Sequence, residues 1–281
     1  MDTLNTISEL RETVRAARMS GKEIAFVPTM GNLHAGHISL VEEAKKHGNF
    51  IVVSIFVNPM QFGENEDLDS YPRTLDADLE KLKAVGAHLV FAPNAKEMYP
   101  QGLGSQTVVG IPTLATKLCG NSRPVFFDGI ATVVSKLFNV VQPDTAVFGE
   151  KDFQQLMVIR QMVSDLNMPV NVISVPTARE SSGLAMSSRN SYLSTDAKQQ
   201  AAALYQAMLA TKQQINSGNK NYPALAATVT EQLTNKGFAV DYFSICNSLT
   251  LEPATPDDNS IVIIAAVILN STRLIDNLLL E

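Results

Sequence analysis

The sequence predicts an α/β protein with a doubly wound parallel sheet and a second, smaller α+β domain. Two patterns carry this prediction. Short apolar runs alternate with stretches of helical spacing as far as Pro176, and beyond that residue helices come first and strands follow. Strands that alternate with helices are typical of a parallel sheet covered on both faces. We therefore predict a domain boundary near Pro176, with residues 1–176 in the larger domain and 177–281 in the smaller one.

The larger domain is predicted to contain five strands. A helix from about Thr6 to Met19 has apolar residues at helical spacing, and Gly21 then turns the chain into the strand Ile24–Val27. No regular pattern is found between Pro93 and Asp128. The other predicted elements are helices at about 36–47, 75–85, 129–141 and 153–166, and strands at 50–57, 89–92, 145–148 and 170–175. Five strands interleaved with helices are typical of a doubly wound fold.

The smaller domain is predicted to begin with a polar loop, Thr177–Asn190. Helices at about 195–215 and 223–236 follow, and strand-like segments come next at 240–245 and 261–267. Residues 273–281 are interpreted as a last turn and a tail. Helices followed by strands predict an α+β arrangement for this part of the chain.

The composition is that of an ordinary globular protein. Of its 281 residues, 45% are hydrophobic and 18% charged, and the net charge is -6. No cluster of Lys and Arg is dense enough for a nucleic-acid surface, so we expect no polynucleotide partner. Cys119 and Cys246 form no metal or redox spacing and are predicted to be reduced. The N-terminus resembles no signal peptide, and the longest apolar run, Ile261–Leu269, is too short to span a bilayer. These features predict a cytoplasmic protein without a membrane partner.

The stretch from Ile24 to His37 predicts an anion site. An apolar strand breaks at a turn containing Gly31, and a helical pattern opens near Gly36. Backbone N–H groups and the helix dipole favour a phosphate at such a helix start. His34 and His37 are three residues apart and share one face of a helical turn, where both imidazoles can donate to phosphate oxygens. The alternative is an ordinary helix start with two solvent-facing histidines.

Polar residues also follow three other predicted strands. Ligands bind outside the carboxyl ends of parallel strands, so these residues are candidates for the same site. They are Asn58 and Gln61 after the second strand, Lys151, Asp152 and Gln155 after the fourth, and Ser187, Ser188 and Arg189 after the fifth. Each has a simpler explanation as a turn residue, a helix cap or part of a polar loop. Their coincidence at one edge of a sheet favours function.

Several of these motifs resemble known sequences. His34-Ala35-Gly36-His37 is similar to the HxGH signature of the nucleotidyltransferase superfamily, and the Met186–Arg189 segment is similar to the second phosphate loop of these proteins. Four longer strings, in the same order and spacing, resemble the pantoate–β-alanine ligase family over essentially the whole chain: PTMGNLH (28–34), FVNPMQF (56–62), FGEKDFQQ (148–155) and GLAMSSRN (183–190). Two positions depart from the family pattern, which usually has His in place of Phe126 and Asp in place of Ser182.

This resemblance implies a Rossmann-like enzyme that condenses (R)-pantoate with β-alanine. ATP and Mg²⁺ would be used, and the reaction would pass through a pantoyl adenylate to give pantothenate, AMP and pyrophosphate. The resemblance also implies a homodimer. A carboxylate is a poor acyl donor, and joining it to AMP gives it a good leaving group.

The resemblance assigns roles to individual residues. His34, His37 and Lys151 would be catalytic, with His37 the donor to the leaving group, and Gln61, Gln155 and Asn58 would bind the substrates. Asp152 would bind the ribose. The residues that would bind ATP are Met30, Gly31, Asn32, Leu33, His34, Ala35, Gly36, His37, Gly149, Glu150, Lys151, Asp152, Ala178, Met186, Ser187, Ser188 and Arg189. No residue is assigned as a metal ligand.

Other functions stay open from the sequence. An adenylyltransferase that makes a dinucleotide or dephospho-coenzyme A would share both histidines but would use no amine acceptor. An aminoacyl-tRNA synthetase is disfavoured because the chain is short and acidic. A nucleotide-binding regulatory module would bind ATP without releasing pyrophosphate, and it would leave Lys151 and the glutamines unexplained. For the ligase, we also predict that the smaller domain closes through residues 177–190 and shields the adenylate from water.

Overall fold

The computed structural model describes residues 1–63 and 66–280, and these residues form two compact units. Unit 1 comprises residues 1–116, 123–150 and 154–176. Unit 2 comprises residues 117–122, 151–153 and 177–281, of which Glu281 lies outside the described residues. That the units fold independently as two domains stays a prediction.

Unit 1 is built on a parallel sheet of six strands, ordered β1-β4-β3-β2-β5-β6. The strands are β1 (Asp2–Leu4), β2 (Ile24–Thr29), β3 (Phe50–Ile55), β4 (Leu89–Phe91), β5 (Thr145–Gly149) and β6 (Asn171–Val175). The helices are α1 (Ile7–Met19), α2 (Ala35–Ala44), α3 (Leu75–Val85), α4 (Ala95–Met98), α5 (Pro112–Ala115), α6 (Cys119–Ser122, a segment of unit 2), α7 (Phe126–Val141) and α8 (Phe153–Asp165). The predicted doubly wound sheet is therefore confirmed.

The central strand β2 is buried on both faces. Val27 packs in a cluster with Leu40 of α2 and Leu82 of α3, whereas the Phe26 ring meets Phe138 of α7 with ring centroids 6.4 Å apart. Successive side chains of a strand point to opposite faces, so helices cover both sides of the sheet. The strand order reverses between β2 and β5, and a reversal of this kind places a binding crevice at the carboxyl ends of the two strands.

Unit 2 carries an antiparallel sheet of three strands, ordered β7-β8-β9. Its elements are α9 (Thr195–Ala201), α10 (Ala203–Asn216), α11 (Tyr222–Asn235), β7 (Ala239–Asn247), β8 (Ile261–Leu269) and β9 (Thr272–Leu280). Leu204, Leu233 and Ile263 belong to the buried core between these helices and the sheet. Unit 2 therefore has the helices followed by strands that were predicted for the small α+β domain.

Four predictions about elements were wrong. The sheet has six strands because the three-residue β1, too short to show a period, pairs with β4. The supposed tail after Arg273 is the strand β9, except for Glu281, which lies outside the described residues. The region 93–128, which shows no pattern in the sequence, contains α4, α5 and α6 and the start of α7. The single helix predicted at 195–215 is divided at Ala202 into α9 and α10.

The helices offer no membrane span. Among the described residues, none is both long enough and apolar enough to cross a bilayer.

Candidate active site

The loop after β2 forms a tight turn that leads into α2. Gly31 has φ +83° and Asn32 has φ 50°, so both lie in the left-handed region. A Cβ at position 31 would lie 3.0 Å from Cγ2 of Ile55 and 3.2 Å from Oδ2 of Asp78. Glycine is therefore required at position 31 both by its backbone conformation and by the close approach of its neighbours.

A buried carboxylate holds this turn in place. Asp78 of α3 is fully buried; its Oδ2 accepts from the backbone N–H of Asn32 at 2.8 Å, and its Oδ1 accepts from that of Leu33 at 2.8 Å. Thr74 donates to the same carboxylate at 3.1 Å, and Lys81 Nζ donates to the Leu33 carbonyl at 2.7 Å. A buried carboxylate is tolerated only when it is fully hydrogen-bonded, as this one is.

Asp78 was not among the residues predicted from the sequence, although a signal was present. Asp78, Leu82 and Val85 are the buried residues of α3, and their spacing puts them on one face of the helix. A charged residue on an otherwise apolar face indicates a partner inside the protein.

The two histidines meet at the start of α2. His34 is the N-cap, and its Nδ1 accepts from the backbone N–H of Gly36 at 3.2 Å. Nδ1 of His37 accepts from the backbone N–H of His34 at 3.3 Å, and the ring centroids are 4.0 Å apart. A neutral imidazole that accepts through Nδ1 carries its proton on Nε2. Both rings are therefore fixed as Nε2–H donors, which suits them to negatively charged oxygens.

The segment after β3 joins this loop through Gln61. Gln61 is buried, and its Nε2 lies 3.0 Å from the Met30 sulfur. Asn58 Nδ2 donates to Gln61 Oε1 at 3.2 Å and to the Gly129 carbonyl at 3.1 Å, while Asn58 Oδ1 accepts from Tyr99 at 2.7 Å. Burial raises the pKa of Tyr99, which keeps the phenol in its donor form. These contacts fit Asn58 for positioning Gln61; its predicted contact with substrate stays a prediction.

Helix α7 packs directly against the Asn58–Gln61 segment. A Cβ at Gly129 would clash with the Met60 carbonyl oxygen, so only glycine permits the approach. Arg123 donates to the Gln61 carbonyl at 3.1 Å and pairs with Glu66. The Arg123 guanidinium also lies 3.4 Å from the ring centroid of Phe126, the residue that departs from the family pattern. An aromatic ring here supplies a face for the cation.

The carboxyl end of β5 supplies the last predicted residues of unit 1. A Cβ at Gly149 would lie 4.0 Å from the Leu40 side chain, so this strand end faces α2. Glu150 Oε1 accepts from Ser174 Oγ at 2.9 Å, which gives Glu150 a structural partner on β6. Gln155 is half-buried on α8. Unit 1 thus brings Gly149 next to the helix that begins with the histidine pair.

Lys151 and Asp152 belong to unit 2. Lys151 Nζ donates to Asp152 Oδ2 at 3.2 Å, and both lie in the 3₁₀ turn Glu150–Asp152. The backbone carbonyl of Lys151 accepts from Asn277 Nδ2 at 2.9 Å. Asn277 lies on β9, the strand that the sequence analysis did not find.

The segment from Ala178 to Met186 in unit 2 forms a short hairpin. Met186 N–H donates to the Ala178 carbonyl at 2.9 Å, and Arg179 forms an antiparallel bridge with Ala185. Ser182 Oγ accepts from the N–H of Leu184 at 3.4 Å, as an aspartate could at this turn. The hairpin brings Ala178 close to the start of the predicted phosphate loop.

The predicted phosphate loop ends in a 3₁₀ turn, Ser188–Tyr192. Ser187 is its N-cap and accepts from the N–H of Arg189 at 3.3 Å. Asn190 is buried, and its side chain donates to the Ala185 carbonyl at 3.0 Å. This bond ties the loop to the hairpin.

The predicted site residues thus form one group in each unit. Unit 1 brings together the loop 30–37, Asn58 and Gln61, and it also holds Gly149, Glu150 and Gln155. Unit 2 holds Lys151 and Asp152 together with Ala178 and the loop 186–189. Within residues 1–63 and 66–280, no group of three or more His, Cys, Asp or Glu side chains is arranged to hold a metal ion.

Comparison with known proteins gives a consistent result. The family model for pantoate-β-alanine ligase matches residues 2–279. The chain is 57% identical to the pantothenate synthetase of Pseudomonas entomophila, with 100% of this chain and 98% of that protein covered. It is 55% identical to the pantothenate synthetase of Hahella chejuensis, with 99% and 98% covered.

Solved structures agree with these relatives. The pantothenate synthetase of Thermus thermophilus superimposes with a TM-score of 0.91 at 44% identity, with 99% of each chain covered. The pantoate-β-alanine ligase of Francisella tularensis, solved with β-γ ATP and β-alanine, gives a TM-score of 0.83 at 33% identity, with 99% of this chain and 97% of that chain covered.

Proposed function

The chain belongs to the pantoate–β-alanine ligase family, and from this premise we propose that it makes pantothenate from (R)-pantoate, β-alanine and ATP. In the first step a pantoate carboxylate oxygen attacks the α-phosphorus, and the bond to pyrophosphate breaks. In the second, the β-alanine amine attacks the acyl carbon of the pantoyl adenylate, the bond to the AMP oxygen breaks, and the amine loses a proton as the amide forms.

The observation that carries the phosphate chemistry of this proposal is the fixed histidine pair at the start of α2. Attack of an anion on a polyanion requires donors where negative charge grows. Because the Nδ1 atoms of His34 and His37 accept backbone N–H groups, each ring presents its Nε2–H as a donor. We assign both to the ATP phosphates and His37 to the leaving pyrophosphate. The backbone N–H groups at the start of α2 would also stabilise the negative charge of the phosphates.

Unit 2 would supply the positive charge. Lys151 would stabilise the α-phosphate during transfer, and Asp152, now its partner at 3.2 Å, would bind the ribose. Ser187 and Arg189 would hold the β- and γ-phosphates. Serine and arginine suit this task, since a hydroxyl and a guanidinium both donate to phosphate oxygens.

Gln61 and Gln155 are assigned to pantoate, with Gln61 also near β-alanine. An amide both donates and accepts, which suits a substrate with hydroxyl groups and a carboxylate. The Gln61 amide is held by Asn58 and Met30, so its orientation is set before substrate binds. A neutral amide also avoids an ion pair that would hold back the attacking carboxylate.

Magnesium would enter with the substrate, because ATP would bind as its magnesium complex. Mg²⁺ is commonly bound through substrate phosphates and one or two carboxylates, and when bound it neutralises phosphate charge. We assign no carboxylate of the chain to the metal, since Asp152 is assigned to the ribose. We further propose that the protein is cytoplasmic and forms a homodimer; sedimentation of the purified protein would test the dimer.

Pyrophosphate release tests the reaction. Wild type should release pyrophosphate from ATP only with (R)-pantoate, and it should turn over repeatedly only with β-alanine. Lys151→Ala should lower this rate by about 100-fold or more, as expected for a group that stabilises transition-state charge. Lys198→Ala, at an exposed position of α9, is the matched control and should keep the rate. ATP binding without pantoate-dependent release would overturn the proposal and favour a regulatory module.

Two replacements of His37 test the role of Nε2. Asn keeps an acceptor near the Nδ1 position and removes the distal donor, whereas Gln keeps a donor near the Nε2 position. We expect His37→Asn to fold and lose activity, and His37→Gln to retain part of it. His47→Gln, at a histidine that pairs with Glu43, is the control. Equal activity in the Asn and Gln variants would contradict the assignment of Nε2 as the donor.

A further inference from the structure

We propose that Asp276 and Asn277 of β9 are positioning residues that hold the two ATP-binding segments of unit 2 in one fixed arrangement. The segments are the Lys151 turn and the hairpin that leads to the phosphate loop 186–189. Neither residue carries a role in the reaction as proposed above, and both lie in a stretch that the sequence suggests is a tail. The inference rests on the proposed function of Lys151, Ser187 and Arg189.

Asp276 fixes the hairpin. Its carboxylate is buried and receives both Nη atoms of Arg179, at 2.7 and 2.9 Å. Arg179 in turn donates to the Gly183 carbonyl at 3.1 Å, and its guanidinium stacks 3.6 Å from the ring centroid of Tyr205. A bidentate pair of this kind sets both distance and angle. The base of the hairpin is therefore locked to β9.

Asn277 fixes the lysine turn. Its Nδ2 donates to the Lys151 carbonyl at 2.9 Å, and its backbone N–H donates to Asp276 Oδ1 at 2.8 Å. The Asp276 carboxylate thus accepts hydrogen bonds from both the Arg179 guanidinium and the Asn277 backbone N–H. One continuous set of hydrogen bonds runs from the Lys151 backbone through Asn277 and Asp276 to Arg179.

The polar character of this pair supports a positioning role. Ala265 and Ile264 of β8 are the strand partners of Asp276 and Asn277, so this buried pair lies in the middle of β9, an edge strand of the sheet. Apolar residues would fill that place without the cost of burying a carboxylate. The 3₁₀ turn Ser188–Tyr192 also packs against β9, which gives the phosphate loop a second contact with the same strand.

Two half-reactions distinguish this role from general stability. Pantoate-dependent pyrophosphate release needs Lys151 at the α-phosphate and also the β/γ-phosphate contacts of Ser187 and Arg189. The reaction of β-alanine with preformed pantoyl adenylate still involves the α-phosphate but no longer involves pyrophosphate. We expect Asn277→Ala and Asp276→Asn to slow pyrophosphate release by about tenfold or more. The second half-reaction should be slowed clearly less, because it depends on the Lys151 turn but not on the β/γ-phosphate contacts. The affinity for a non-hydrolysable ATP analogue, measured by calorimetry, should fall in both variants.

A matched control lies on the same strand. Leu274→Ala removes buried side-chain volume from β9 without touching the hydrogen bonds, so it should lower the melting temperature and leave both half-reactions unchanged below that temperature. If the two polar variants lowered both half-reactions equally, or bound the ATP analogue as wild type does, the inference would be overturned.

The analogue measurement separates this inference from the proposed function. A wild type that lacked pantoate-dependent release would overturn the proposed reaction. The variants would still decide the positioning role through their affinity for the ATP analogue, because that measurement requires no reaction.

Discussion

The two units anchor their predicted phosphate-binding loops by different means. In unit 1 the Asp78 carboxylate accepts from backbone N–H groups of the loop itself, at Asn32 and Leu33. In unit 2 the Asp276 carboxylate accepts from a side chain, the guanidinium of Arg179. Both carboxylates are buried, at 0% and 3% exposure. The same residue type therefore does the same task through backbone groups in one unit and through an ion pair in the other.

This difference determines how each loop depends on its residues. A backbone N–H cannot be removed by mutation, so the unit 1 loop depends on the acceptor and on the glycine that permits the turn. An ion pair depends on both of its side chains, and removing either one leaves the other buried without its charge partner. Changes of the carboxylate should therefore act most strongly in unit 1, and changes of the cation most strongly in unit 2, because Lys81 of unit 1 lies 3.9 Å from Asp78 whereas Arg179 of unit 2 forms a bidentate pair.

The largest effect is expected for Asp78→Ala. Two backbone N–H groups would lose their acceptor in a buried place, which costs about 2–5 kcal/mol in the free energy of unfolding. The turn would relax, and pyrophosphate release should fall by about 100-fold or more, since misplaced catalytic groups are costly. Denaturant unfolding and steady-state kinetics measure the two effects. Asp76→Ala, at an exposed position of the same helix, is the control, and equal behaviour of the two variants would contradict the anchoring role.

A smaller effect is expected for Gly129→Ala, which tests the close packing of α7 against the Asn58–Gln61 segment of unit 1. The added methyl would clash with the Met60 carbonyl, so α7 and the Asn58–Gln61 segment must separate. Overpacking of this kind costs about 1–3 kcal/mol. Because Gln61 moves with the segment, the KM for pantoate should rise more than the KM for ATP. Gly104→Ala, where a Cβ meets nothing within 4 Å, should change neither; a parallel rise of both constants at Gly129 would show that the damage is general.

Much of unit 1 could be predicted from the sequence because its signals are local. The strand, turn and helix from Ile24 to His37 show in the apolar run, in Gly31 and in the spacing of the histidines. Asp78 could not be assigned to the loop, since its partners are 45 and 46 residues away and only the packed fold brings them together.

The sequence was less informative about unit 2. Strand β9 was missed because Asp276 and Asn277 interrupt its apolar pattern, and because the β8–β9 turn is Asn270-Ser271 rather than a glycine-containing pair. Both turn residues have positive φ, as the twist of a two-residue hairpin requires. The anchor of the phosphate loop therefore lay in a strand that no short-range signal indicated.

Arg179→Lys tests the ion-pair side of the comparison. Lysine keeps the charge but loses the bidentate fork and the stacking on Tyr205, so we expect a loss of about 1–2 kcal/mol in stability. The KM for ATP should rise by about tenfold. This effect is smaller than the fall in pyrophosphate release expected for Asp78→Ala, because one hydrogen bond to Asp276 can persist. The matched control is Arg273→Lys, which alters another arginine–aspartate pair, with Asp241. An equal rise in the KM for ATP in both variants would show that the loss of any arginine–aspartate pair in unit 2 weakens ATP binding. The Arg179–Asp276 pair would then have no special role.

The smallest effect is expected for Ser182→Asp, which restores the residue usual in the family. The Ser182 hydroxyl already accepts from the Leu184 N–H at 3.4 Å, and an aspartate would accept at the same turn. Stability should change by less than about 0.5 kcal/mol, and the KM for ATP by less than about twofold, as for a surface position outside the anchoring contacts. A large fall in KM would mean that the added carboxylate contacts the nucleotide. The hairpin would then be part of the nucleotide-binding surface, and it would not act only as a support that Arg179 and Asp276 hold in place.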